Sequence, residues 1–114
     1  MATEANIHSG GDNFSSEQIS TGAILYRQGR IRILQLNSVS VSIGSAGINI
    51  AAADRPANSC LNLVNMYRLS GSPSYSSGYA GISSSNGSMF VYEYSGGTVV
   101  PPTCNIEGVL IWTV

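Results

Sequence analysis

Apolar and polar residues alternate along most of this chain with the period of two that belongs to strands. The clearest run is NSVSVSIG, where Val39, Val41 and Ile43 fall on one side and Ser38, Ser40 and Ser42 on the other. A strand with one greasy and one hydroxylated face belongs to an antiparallel sheet covered on one side. Before it, ISTGAILYRQG reads as a strand closed by Gln28-Gly29, and RIRILQL as its hairpin partner, with Ile31 and Ile33 opposite in phase to Arg30 and Arg32. GSAGINI predicts a glycine break and a short strand, Ile48 to Ile50. CLNLVNMYRL puts Leu61, Leu63, Tyr67 and Leu69 on one side, YAGISS is another short strand, and SMFVYEYS phases Phe90, Tyr92 and Tyr94 together. Polar breaks separate these runs. SGSPSYSSG reads as a loop around the isolated Tyr75, SNG as a turn, and GGTVVPPT as a break in which Pro101-Pro102 cannot continue an interior ladder.

The last element, NIEGVLIWTV, is apolar on both sides: Ile106, Leu110, Trp112 and Val114 share one face, Val109 and Ile111 the other. Such a strand should insert between others, and in a small domain a neighbouring subunit is the natural cover for its second face. With about eight short strands and no helical pattern, the expected class is all-β, a jelly-roll-like antiparallel β-sandwich. Residues 1–18 are polar, glycine-bearing and aperiodic, and read as a flexible lead before a head domain at 19–114.

The stretch ADRPANS interrupts this pattern. Asp54 can accept backbone N–H groups in a turn, Pro56 fixes its own φ, and Arg55 is pushed toward an extended conformation by the proline after it. The segment therefore reads as a rigid corner that delivers the chain into the strand at Cys60.

Composition narrows the chemistry. The 114 residues suffice for one core, and only 10% of them are charged, with a formal net charge of -1. There is no lysine, so no basic patch is expected for nucleic acid or anionic lipid, and no Walker motif exists. No apolar run is long enough for a membrane span, and no signal peptide is expected from the polar start. A surface this poor in ions is readily buried against another chain. Cys60 and Cys104 read as buried free thiols, with a single bridge as the other possibility, and their spacing fits no zinc pattern. The sole histidine, His8, lies in the polar lead, far from any nucleophile the pattern places on a strand. Neither a catalytic centre nor a metal or cofactor is therefore expected. A glycan-cleaving carboxylate pair would have to come from Asp54, Glu93 and Glu107, which nothing in the spacing brings together. The aromatics are better candidates for binding. Tyr75 and Tyr79 flank SYSSGY, and a tyrosine offers a flat apolar face plus a hydroxyl, matching the mixed surface of a sugar.

The order GAILYRQGRIRILQLNSVSV, then DRPANS, then a strand, then SSSNGSMFVYEY and a closing GVLIWTV resembles the C-terminal head domain of bacteriophage tail fibres and baseplate receptor-binding proteins. Arg55-Pro56, Asn86-Gly87 and the strand from Ile106 to Val114 carry the likeness, which spans about residues 19 to 114. The resemblance implies a homotrimeric head that attaches a virion to a bacterial surface saccharide or another envelope receptor, without enzymatic activity. It would join other virion proteins through its N-terminal lead, on the tail or capsid surface. Tyr75, Tyr79 and Tyr92 are the contact residues expected on this reading, with Arg55 and Asn86 as polar partners. Two rivals stand beside it: a decorating protein of the capsid or tail that binds no receptor, and a small glycan-active hydrolase.

Overall fold

The computed structural model describes residues 14–68, 74–95, 98–100 and 103–114, and nearly all of them lie in nine strands or the turns between them. The strands are β1 (Phe14–Ser20), β2 (Ala23–Gln28), β3 (Ile31–Val41), β4 (Ser45–Asn49), β5 (Cys60–Arg68), β6 (Ser74–Ile82), β7 (Ser88–Ser95), β8 (Thr98–Val100) and β9 (Cys104–Thr113). They form one sheet in the order β1-β2-β3-β9-β5-β6-β7-β4, with β8 added to β7, and each pairing is antiparallel. The sheet curls on itself until β4 lies beside the end of β3, where Ser42 and Ser45 exchange backbone hydrogen bonds of 2.9 and 3.2 Å. The result is the expected all-β antiparallel sandwich, made from a single nearly closed sheet.

The closing strand occupies the centre. β9 pairs with β3 on one side and β5 on the other, as its doubly apolar pattern required. Its inward row, Cys104, Ile106, Leu110 and Trp112, meets Leu34, Leu36, Val39 and Val41 of β3, Val64 and Met66 of β5, and Val91 of β7 in one buried cluster. Leu34 and Leu110 are direct cross-strand partners with no exposed surface. Truncating either to alanine would cost about 2–5 kcal/mol.

Several expectations change at this level. Phe14 to Gln18, expected within the flexible lead, belong to β1, while residues 1–13 lie outside the described residues. Thr21-Gly22 is a turn, Gly22 at φ +79°, that splits the first predicted strand into β1 and β2. Tyr75 sits in β6 rather than in a loop, while Leu69, the glycine-proline segment at 70–73 and Pro101-Pro102 lie outside the described residues. Ile43 leaves the Val39–Val41 row, because the chain turns there with φ +51° and exposes its side chain. Most consequentially, the buried side of β5 is its less greasy row, and the buried side of β3, otherwise leucine and valine, also carries an arginine. Arg32 faces inward while Ile31 faces solvent, and Leu61 and Leu63 face outward while Val64 and Met66 fill the core.

The inward Arg32 is explained by the corner after β4. A single 3-10 turn, Ala52–Asp54, is followed by Arg55 at φ -69° and ψ 146°, the extended geometry its proline imposes. The turn points the Asp54 carboxylate back into the body, where Oδ1 accepts from Arg32 Nε at 2.7 Å and from Arg27 Nε at 2.9 Å, and Oδ2 accepts from Arg27 Nη2 at 2.9 Å. Trp112 Nε1 donates to the Asp54 carbonyl at 2.7 Å. One acid thus ties the corner to β2, β3 and β9.

Candidate functional site

The outer face of β5, β9 and β6 carries a shallow cavity of about 160 Å³. Register builds it. Asn65 stands opposite Glu107 and Tyr67 opposite Asn105 across β5 and β9, while Tyr75 stands opposite Tyr67 across β5 and β6. The two tyrosine rings meet with centroids 4.8 Å apart and planes tilted by 44°. Tyr75 is 84% exposed, so one ring face is open to a ligand.

The remaining wall comes from an irregularity in β3. Leu36 pairs with Gly108 and Val39 with Ile106, so two residues of β3 oppose one of β9 in a bulge. The bulge keeps Leu36 and Val39 both inward and turns Asn37 and Ser38 both outward. Ser38 takes φ +51°, a left-handed conformation uncommon outside glycine, and its hydroxyl donates to Glu107 Oε1 at 3.3 Å. Strained residues of this kind are held in place by their surroundings and cluster at binding sites.

Two amides, a hydroxyl and a carboxylate therefore converge beside a paired-tyrosine wall. The amides donate and accept, the carboxylate accepts from paired hydroxyls, and the rings offer an apolar platform. The cavity is well below the ~300–1,000 Å³ of pockets for drug-sized ligands, so it suits one small polar group with an apolar face.

Of the residues expected to bind ligand, only Tyr75 lines this cavity. Tyr79 lies four positions further along β6 on the same face, about 13 Å away at the rise of a strand. It pairs directly with Tyr92 of β7 and Leu63 of β5, and Tyr92 in turn packs on Phe90 with centroids 5.8 Å apart. Arg55 and Asn86 join neither group. Arg55 Nε donates to the Ile50 carbonyl at 3.0 Å and Nη1 to the Ser85 carbonyl at 3.4 Å. Asn86 Oδ1 accepts from the Ser88 amide at 2.9 Å, and the Gly87 carbonyl accepts from the Ile50 amide at 2.8 Å. This arginine clips the asparagine-glycine turn to the end of β4, an architectural role.

Tyr67, Asn65, Asn105, Glu107 and Ser38 were not singled out as ligand residues from sequence. Asn105 and Glu107 lie some forty positions from their partners on β5, and only the strand register brings them together. The bulge that delivers Ser38 has no local signature in a serine-valine alternation.

The three carboxylates do not share a cleft. Asp54 is enclosed by Arg27 and Arg32, whose guanidinium hydrogen bonds hold its carboxyl below the ordinary range despite its burial. Glu93 is buried on the inner face, where it accepts from the Ser76 hydroxyl at 2.6 Å. Glu107 faces outward in the cavity. Glu93 shares the core row of β7 with Met89 and Val91. Cys60 and Cys104 stand on different strands and form no disulfide, and burial pushes the Cys60 thiol above its ordinary pKa. Among the described residues, no group of three histidine, cysteine or acidic side chains is placed to hold a metal ion.

The chain matches no protein-family model, and no curated protein sequence matches it.

Proposed function

We propose that this chain is a noncatalytic attachment head that binds a terminal saccharide of a bacterial cell surface on behalf of a virion. The observation that supports this reading most is the outer-face cavity. The Tyr67–Tyr75 pair gives the platform on which a sugar ring rests its C–H face, and Asn65, Asn105 and Glu107 stand where its hydroxyls would be. Catalysis forms no part of the reading, because a saccharide in this cavity meets one carboxylate, not the pair that hydrolysis requires. A site this small binds weakly. Presentation of several copies in a homotrimer, joined to the particle through the N-terminal lead, raises the effective affinity without new contacts.

Adsorption tests the proposal. Recombinant chain binds intact host cells and their envelope glycans, and Tyr75→Ala abolishes that binding while costing no more than about 1.5 kcal/mol of stability through its lost contact with Tyr67, so the variant stays folded in the assay. Unchanged adsorption of Tyr75→Ala and of Glu107→Gln would overturn it. Tight binding to assembled particles with none to cells would favour a decorating role instead.

A further inference from the structure

Glu107 gives the outer-face cavity a full negative charge, and no described side chain offsets it. Elsewhere the chain pairs its acids with care: Glu17 meets Arg27 at 2.7 Å, and Asp54 meets Arg27 and Arg32 at 2.9 and 2.7 Å. The Glu107 carboxylate has instead the Ser38 hydroxyl, at 3.3 Å. That is well beyond the ~2.5–2.7 Å of a firm hydroxyl–carboxylate bond, so most of its acceptor capacity is open. The chain has no lysine, and among the described residues no arginine lines the cavity.

Register sets this carboxylate beside the rings. Asn65 stands opposite Glu107 and Tyr67 opposite Asn105, which makes Glu107 and Tyr67 diagonal neighbours across β5 and β9. Diagonal residues are ~7–8 Å apart, so one small group can touch the carboxylate and still lie within the ~6 Å of the Tyr67 ring at which cation–π attraction acts. Tyr75, its centroid 4.8 Å from that of Tyr67, brings a second ring from β6.

We infer that the group this cavity selects is a primary ammonium, so that the saccharide of the proposed function, on which this inference rests, is an amino sugar with a free amine. Charge is the first reason. Two ring faces and a carboxylate make an electron-rich pocket with no cation of its own, which attracts a positive group and repels a sugar acid or a phosphate. Hydrogen bonding is the second. Asn65, Asn105, Ser38 and Glu107 can each offer an oxygen to the three N–H donors of a primary ammonium, whereas a quaternary ammonium has no donor to give them. Acetylation of the amine removes the charge and leaves one donor of three. Size is the third, since a cavity of about 160 Å³ takes one small group and the ring edge that carries it.

Titration of the isotope-labelled full chain in mildly acidic buffer, where the amine is protonated, tests the inference through amide chemical shifts. The probes are glucosamine, N-acetylglucosamine, glucose and glucuronic acid, with ethanolamine as an ammonium outside any sugar. Glucosamine is expected to bind about 10-fold more tightly than N-acetylglucosamine or glucose, the product of an exposed ion pair and a cation–π contact worth a few-fold each. Glucuronic acid binds weakest, and added salt narrows the glucosamine margin. Glu107→Gln, at an exposed position away from the core, removes that margin. Equal binding of glucosamine and glucose at the cavity, or a margin that Glu107→Gln leaves intact, overturns the inference while the saccharide reading stands. Cavity shifts with ethanolamine and with no sugar uphold the ammonium site and overturn the saccharide reading. No response to any of these probes overturns both.

Discussion

Asp54→Asn removes one negative charge from a buried position with almost no change in shape, which isolates the electrostatic role of the corner. In the native protein the carboxylate accepts three hydrogen bonds from two guanidinium groups. Asparagine accepts on one oxygen and turns an NH2 donor toward a cation. Arg27 is the less affected partner, because it is a quarter exposed and also donates to Glu17 at 2.7 Å. Arg32 has only 11% of its side chain exposed and keeps just the Gly29 and Ile31 carbonyls, at 2.8 and 3.0 Å. An uncompensated buried charge costs about 3–5 kcal/mol, and the carbonyls left to Arg32 put this case near 3 kcal/mol. At this chain length, that corresponds to a fall of roughly 10–20 °C in Tm. Trp112 is the natural reporter, since its indole donates to the Asp54 carbonyl and it is the only tryptophan. Urea titration followed by its emission should show the midpoint lowered by about 1–3 M. The difference depends on pH with a defined sign. The two arginines hold the Asp54 carboxyl below its ordinary value of 3.8, so the folded state binds its proton more weakly than the unfolded chain. Its contribution is complete above the ordinary value and is lost as pH falls through the lower folded value. Wild type and Asp54→Asn therefore converge in acid. A loss below about 1 kcal/mol at pH 7, or a difference that does not shrink in acid, would refute the role assigned to this group.

Arg55→Ala loses the hydrogen bonds to the Ile50 and Ser85 carbonyls and is expected to lower stability by about 1–2 kcal/mol in thermal unfolding, with saccharide binding per folded molecule unchanged. Gly87→Ala is expected to cost at least about 1–3 kcal/mol, because φ is +76° and the new Cβ would meet Arg55 Nε at 2.7 Å and press on the Ile50 carbonyl oxygen. Alkylation followed by mass spectrometry should modify Cys60 slowly at pH 7 and faster as pH rises, since burial keeps its thiol protonated; Cys104 should react only on unfolding.

The legible part of the fold is the part written in local periodicity. The two-sided apolar run from Ile106 to Val114 announced a central strand, Gln28-Gly29 announced the hairpin of β2 and β3, and Asn86-Gly87 a turn before β7. Alternation fixes which residues share a side, not which side is buried. On β3, Arg32 shares the inward side with Leu34 and Leu36, because Asp54, 22 residues further on, supplies its partner. On β5 the two leucines were the greasier row, and the core took Val64 and Met66 instead, leaving Leu61 and Leu63 on the outer face. The candidate site was hidden for the same reason. Tyr75 is conspicuous in a serine-rich stretch, but its ring partner and the amides beside it come from β5 and β9, whose register no short window contains. Arg55 and Asn86 were visible as landmarks, and both hold the turn before β7.

Saccharide recognition at the Tyr67–Tyr75 cavity is the claim on which the functional account rests, and titration of the isotope-labelled chain with host-envelope saccharides, followed by amide chemical shifts, tests it most directly. The account predicts saturable shifts at Asn65, Tyr67, Tyr75 and Asn105, with Asn86 and the Arg55 corner undisturbed. Shifts gathered at any other surface, or none at millimolar saccharide, would contradict it.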